Sequence, residues 1–228
     1  MRRLSTLVAA LAIGFAVSSA QAIILPLDDF SAPGFTLVDA QGGGRSTSGV
    51  LIGGGFSREL TLEVLTPIGV GAGCQFACVS MGNQTFPVGL LNVANAANVD
   101  SEVNVIWDLA AGYVPLGSPV SFFFDIINSD GNPIQADLFI GATEITGVLA
   151  ASFVIPSNTL NAFTSFGLTM AQQATLNAGG VLRLRLNGVE GWDLILDTVG
   201  FNIPEPTTLA LAGLALLGAG VAARRRKV

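Results

Sequence analysis

The residue types that most often do chemistry are scarce in this chain. It holds no histidine. That removes Ser-His-Asp and Cys-His catalysis, histidine-ligated zinc and c-type haem together. Two cysteines, Cys74 and Cys78, stand in Gly73-Cys74-Gln75-Phe76-Ala77-Cys78. A thiolate metal site needs more ligands than this stretch offers. The spacing is also one residue longer than the Cys-x-x-Cys of redox pairs. In an exported chain, for which the termini argue below, two lone cysteines predict a disulfide stapling a tight loop between strands.

Carboxylates are the next candidates. Asp28-Asp29-Phe30-Ser31 lies near the front of the chain, and Trp192-Asp193-Leu194-Ile195-Leu196-Asp197-Thr198-Val199-Gly200-Phe201 near the back. On a strand, Asp193, Ile195 and Asp197 share one face, and Trp192, Leu194 and Leu196 the other. If the first and last strands are neighbours, Asp28 or Asp29 meets Asp197 near a sheet edge. With loop carbonyls from Gln41 to Gly44, such a group suits Ca²⁺. The plainer alternative is strand-end acids bonded to backbone amides or water. Glycoside hydrolysis needs two carboxylates at a set separation, and no acid here sits in a recognisable catalytic motif. Gly53-Gly54-Gly55 lacks the lysine and following helix of a phosphate loop. A non-catalytic protein is expected, with a secreted hydrolase of cell-surface polysaccharide as the alternative. Three aromatic residues, Trp107, Tyr113 and Trp192, are candidates for stacking on a sugar. Core packing is the commoner job for each tryptophan. Tyr113, in Ala111-Gly112-Tyr113-Val114-Pro115, is the loop candidate.

Strands must position these groups. Period-two patterns are plentiful and long helical periodicity is absent. Leu60, Leu62 and Val64 face one way while Glu59, Thr61 and Glu63 face the other. Val103, Val105 and Trp107 alternate with Glu102, Asn104 and Asp108. Leu182, Leu184 and Leu186 alternate with Val181, Arg183 and Arg185. Val120 to Ile127, centred on Phe122-Phe123-Phe124, is apolar on both faces apart from Ser121 and Asp125, as in a central strand. Asn128-Ser129-Asp130-Gly131-Asn132-Pro133 is a turn joining it to a strand over Ile134 to Ile140. One short helix is expected near Ala171 to Asn177. Many short strands between turn signals predict an all-β antiparallel sandwich.

Between residues 23 and 203 there are four arginines, no lysine and fifteen acids, a net charge of about −11. Such a module is repelled by nucleic acid and by anionic lipid. Solubility outside the cell explains the excess, and cation binding is the sharper reading.

The two ends carry an address. Met1-Arg2-Arg3, an uncharged apolar stretch from Leu4 to Val17, and Ser18-Ser19-Ala20-Gln21-Ala22 form a secretory signal peptide pattern. The Ala-x-Ala of Ala20 and Ala22 predicts cleavage by signal peptidase before Ile23. At the other end, Thr207 to Ala223 is free of charge and followed by Arg224-Arg225-Arg226-Lys227. Seventeen helical residues span about 26 Å, slightly short of a hydrocarbon core of about 30 Å. The cations mark the cytoplasmic end of an inner-membrane anchor. Pro204 and Pro206 bar the helix from running back. Residues 1–22, 23–203 and 204–228 are therefore expected as signal peptide, ectodomain and tail. The ectodomain of roughly 180 residues fits one domain with a sizeable core.

The Pro204-Glu205-Pro206 triplet, the apolar span and the final cation cluster together resemble the PEP-CTERM sorting signal of Gram-negative bacteria. That resemblance covers about residues 203 to 227. It implies recognition by exosortase, processing near the triplet, and delivery from the periplasmic face of the inner membrane to the cell surface or extracellular matrix. It also implies an association with exopolysaccharide. A second, looser resemblance lies in Leu27-Asp28-Asp29-Phe30-Ser31 and Asp193 to Phe201. These segments are similar to the terminal strands of galactose-binding-like jelly rolls. That family includes carbohydrate-binding modules, several with a structural calcium near those strands. The combined expectation is an exported structural or adhesive β-sandwich that binds polysaccharide.

Overall fold

In a computed structural model of the chain, residues 22–31, 35–39, 46–52, 56–65, 77–81 and 89–204 are described. Their strands are β1 (Ile23–Asp28), β2 (Phe35–Asp39), β3 (Ser46–Ile52), β4 (Phe56–Val64), β5 (Ala77–Met81), β6 (Leu91–Asn95) and β7 (Ser101–Asp108). There follow β8 (Val120–Asp130), β9 (Ile134–Gly141), β10 (Val148–Ile155), β11 (Leu160–Leu168), a short helix α1 (Met170–Asn177), β12 (Val181–Gly188) and β13 (Asp193–Ile203). The expected helix over 171–177 is thus found within one residue. It begins with a capping box, in which Thr169 and Gln172 satisfy each other's backbone amides.

The strands form two antiparallel sheets. One runs β11-β8-β13-β6-β5-β2, and β1 also pairs with β13. The other runs β10-β9-β12-β7-β4-β3. The predicted sandwich is what these strands build. Each sheet turns one apolar face inward, and the alternations in β4, β7 and β12 supply the facing layers. Leu60, Leu62, Val103, Val105, Leu182, Leu184 and Leu186 are all fully buried. Opposite them lie Phe122, Phe124, Leu194, Leu196 and Phe201. Phe122 meets Phe201 edge-on at 5.8 Å, and Phe153 of β10 stacks on Phe124 at 4.8 Å.

β13 is shared along one side by two short strands. Leu194–Leu196 pairs with β6, and Val199–Ile203 with β1. The first and last strands are neighbours, which meets the condition set for the terminal acids, with Ile23 opposite Ile203. A register shift between Leu196 and Val199 separates the two halves.

The turn over 128–133 differs from a hairpin. β8 belongs to one sheet and β9 to the other, so the turn carries the chain across the sandwich. Gly131 adopts φ 74° and packs against the Gly191 carbonyl, where a Cβ has no room. Its backbone therefore requires glycine.

Candidate functional site

The core places the opening acid first. Asp28 ends β1 with its side chain turned inward, where Arg58 of β4 reaches across the sandwich. One Arg58 guanidinium nitrogen lies 2.6 Å from each Asp28 carboxylate oxygen. Trp107 Nε1 donates to Oδ2 at 3.0 Å, and the Phe30 amide donates to Oδ1 at 2.9 Å. The pair's side chains are 1 % and 2 % exposed. A carboxylate has about four lone-pair sites, and four hydrogen bonds from three donor nitrogens fill them here. Asp28 is thus not a calcium ligand but the acid of a buried ion pair that ties the two sheets together. Asp29 is exposed outside this cluster, where Ser31 Oγ and N donate to its Oδ1 at 2.6 and 3.0 Å. The hydroxyl and amide of Ser31 hold its carboxyl below the ordinary value. Asp197 sits at the β13 register shift, partly exposed. Among the described residues no three acids or cysteines gather closely enough to hold a metal ion.

The tryptophans do not form sugar platforms. Trp107 and Trp192 are both 0 % exposed: Trp107 stands on the inward period of β7, and Trp192 lies directly before β13 in phase with its buried Leu194 and Leu196. Trp192 is locked by its neighbours. Its Nε1 donates to the Ser101 carbonyl at 3.3 Å, and its carbonyl accepts from Asn95 Nδ2 at 2.6 Å. Tyr113 is half-buried, with its hydroxyl donating to the Pro26 carbonyl at 2.8 Å. Its ring meets Phe56 edge-on at 5.2 Å. Burial, with the Asp28 charge beside it, pushes its hydroxyl above the ordinary value. It braces β1 against the core instead of presenting a free ring.

A second group of polar side chains lies on the outer face of the six-stranded sheet, where Glu59, Arg183, Arg185 and Phe139 are partly exposed and Thr61, Asn104 and Asp137 are buried among their neighbours. Register aligns the group in rows across the strands. Ser57, Asp108 and Val181 form one row ending at Gly141. Next come Glu59, Ile106, Arg183, Phe139 and Leu149. A third row holds Thr61, Asn104, Arg185, Asp137 and Ser152. Adjacent members stand about one strand spacing, roughly 4.8 Å, apart.

These side chains hold one another in place. The Arg183 and Arg185 guanidinium carbons lie 4.3 and 5.1 Å from the Phe139 ring centroid, within cation–π range. Arg185 pairs with Asp137. Ser152 Oγ donates to Asp137 Oδ1 at 2.6 Å, and Gln135 Nε2 donates to it at 3.0 Å. Burial pushes the Asp137 carboxyl up. The hydrogen bonds from Ser152, Arg185 and Gln135 outweigh that and hold it below the ordinary carboxylate value. Asn104 Nδ2 donates to Glu102 at 2.9 Å, while Asn104 Oδ1 and Arg183 Nε, both buried, have no hydrogen-bond partner.

At one end of this face is a depression of about 200 Å³, lined by Ser57, Glu59, Ile106, Asp108, Ala142, Thr143, Glu144 and Val181. The β9–β10 loop walls it, closed by the Thr143 amide donating to Thr146 Oγ1 at 2.9 Å. A Cβ on Gly141 would come within 2.6 Å of Gly147, so this tight wall depends on glycine. Planar guanidinium, amide and carboxylate groups held side by side, with a partly exposed ring, can pair with vicinal hydroxyls and stack on a sugar's C–H face. Three carboxylates around the depression oppose anionic ligands.

None of Glu59, Asp108, Phe139, Asp137, Arg183 and Arg185 was singled out by motif. A signal did exist. Two of the ectodomain's four arginines alternate with leucines on β12, which places both outward.

The remaining expected groups lie largely outside the described residues. These are Ala20, Cys74, Glu205, Pro206, the 207–223 span and Arg224–Lys227. Cys78 lies in β5, where its backbone is opposite Ala94 and Val38. Ala22 is exposed beside β1, and Pro204 is exposed directly after β13.

Comparison with known proteins agrees with the tail. Residues 202–227 match the PEP-CTERM protein-sorting motif. No curated protein matches the chain in sequence. Among solved structures, the xylan-binding domain CBM22-1 of Paenibacillus barcinonensis is similar at 10 % identity and a TM-score of 0.37, over 83 % of this chain and 99 % of that one. A family 11 carbohydrate-binding module of Clostridium thermocellum is similar at 12 % identity and a TM-score of 0.35, over 82 % and 96 %. The module TmCBM61, solved with β-1,4-galactotriose, is similar at 13 % identity and a TM-score of 0.33, over 72 % and 90 %. The sorting motif marks this chain as an exported, membrane-anchored protein that exosortase processes.

Proposed function

We propose that this is a cell-surface or extracellular-matrix protein whose sandwich binds neutral polysaccharide along the outer face of the six-stranded sheet. Signal peptidase releases Ile23, and the 207–223 helix holds the chain in the inner membrane with Arg224–Lys227 in the cytoplasm. Exosortase then processes it near Pro204-Glu205-Pro206. Cys74 and Cys78 close a disulfide in the oxidising compartment. Residues 23–203 act as one ectodomain, in a structural or adhesive role.

The observation that carries the sugar reading is the Phe139, Arg183, Arg185 and Asp137 cluster. Its planar groups are fixed by one another, with Phe139, Arg183 and Arg185 partly exposed beside the buried Asp137, so little ordering is lost on binding. The local carboxylates favour a neutral polymer over an acidic one.

The test is a glycan-array and polysaccharide pull-down screen with the full chain in detergent, comparing wild type with Phe139→Ala and Arg183→Ala. Binding lost in both variants, with the fold retained, supports the reading. Failure of the wild type to bind any neutral polysaccharide leaves the structural role alone. Glu59 and Asp108 together in the depression favour one second reading, hydrolysis of a surface polysaccharide. Release of reducing ends by the wild type, abolished in Glu59→Gln or Asp108→Asn, would replace the binding role with that one.

A further inference from the structure

The edge strand β11 carries an unassigned surface. It ends its sheet, and among the described residues no strand lies beside the outer backbone groups of Leu160–Leu168. Natural edges are blunted by charge, proline or bulges. β11 has none of these. Residues 145–182 contain no charged residue at all, although residues 23–203 carry a net charge of about −11. The other edge strand on this side, β10, is bulged between Leu149 and Ala151, whereas the β11 ladder with β8 has no such shift.

The outward side chains of β11 are Phe163, Ser165 and Gly167. Phe163 is 57 % exposed. It is held upright by stacking on Phe123 at 5.0 Å and 25°. Four residues on, Gly167 has nothing within 4 Å of the position a Cβ would take. A large fixed ring and an open space thus lie one on either side of Ser165.

We infer that β11 is a self-association edge, on which a second copy of this chain docks antiparallel about a two-fold axis at Ser165. In that register Ser165 faces Ser165 of the other copy. Phe163 of each covers Gly167 of the other, an arrangement of the self-complementary kind that two-fold interfaces require. Aromatic cover of an edge glycine is a recognised stabiliser of strand pairs. Backbone hydrogen bonds along the new ladder supply the affinity, as in other strand additions. Charge favours the edge: two copies this acidic repel each other over most of their surfaces, and β11 itself carries no charge, the nearest on its ladder being Asp125 opposite Phe163.

Oxidative cross-linking of the full-length chain in membranes tests the inference. Directly opposite residues in an antiparallel pair have Cβ atoms about 5 Å apart, so Ser165→Cys should yield a covalent homodimer under mild oxidation. Thr143→Cys, exposed on the β9–β10 loop, is the background control. Adding Gly167→Leu to Ser165→Cys fills the space without a clash within the monomer, and should cut the cross-link at least tenfold. Phe163→Lys should do the same. A Ser165→Cys yield no higher than that of Thr143→Cys overturns the inference. So does a cross-link to a different protein, or one that survives Gly167→Leu unchanged. None of these readouts depends on sugar binding.

Discussion

Two arginine–carboxylate clusters on opposite sides of one sheet have opposite characters. Inside, Arg58 and Asp28 are sealed between the sheets with Trp107. Outside, Arg185 and Asp137 lie among Ser152, Gln135 and Phe139, with Arg185 37 % exposed. Both are charge pairs, and only the parity of a strand position separates them. The inner pair has excluded water, so each partner depends on the other. In the outer pair Arg185 keeps water and can exchange partners with a ligand, while Asp137 is buried and held by Ser152 and Gln135.

Breaking the inner pair has the largest expected effect. Arg58→Ala or Asp28→Ala leaves one buried charge uncompensated and should cost about 3–5 kcal/mol in denaturant unfolding. The double change Arg58→Met with Asp28→Leu should recover most of that loss, because an ion pair replaced by apolar groups is often neutral. Breaking the outer pair sharpens the contrast. Asp137→Asn breaks a pair whose arginine is partly exposed but whose acid is buried and hydrogen-bonded, and should cost about 1.5–3 kcal/mol, the range for a hydrogen bond to a charged group and below the cost of breaking the inner pair.

Acid should divide the clusters' surroundings further. Asp137 titrates below the ordinary carboxylate value when folded. Its contribution to stability is complete above the unfolded value and lost as pH falls through the folded one. Asp193 behaves oppositely. Burial raises its carboxyl, the Asn95 amide opposes that, and the Asp130 charge adds to it. Its preference for the neutral form is lost as pH rises through the raised value. The acid limb of a stability–pH curve should therefore flatten in Asp137→Asn, and the rise in stability toward lower pH due to Asp193 should vanish in Asp193→Asn. The smallest effect concerns calcium. With Asp28 committed to Arg58, a chelator should leave the melting temperature unchanged. A fall of several degrees would point to a cation held elsewhere.

Much of the fold was legible. Leu60, Leu62 and Val64 in β4 and the leucines of β12 follow from period two, while the pairing of first and last strands stood only as a condition. The same rule, run two residues further back from Leu60, places Arg58 inward. A single charged residue is usually assumed to face water, and that assumption hid the Asp28 pairing and with it the fate of the calcium site. The sheet-crossing turn at Gly131 was not legible, because a turn motif reports direction reversal and not which sheet receives the next strand. The outer rows were half legible. Arg183 and Arg185 could be placed outward from β12 alone, but Asp137 and Phe139 join them only through long-range register.

The β1–β13 ladder sets a timetable. Ile23 meets Ile203 across the whole length of the module, so this closure waits on the last strand to leave the export channel. Pairings between such distant residues form slowly. Until β13 arrives, β1 and β8 lack the strand that lies between them. Completion of the sheet therefore falls to the strand that ends directly before Pro204.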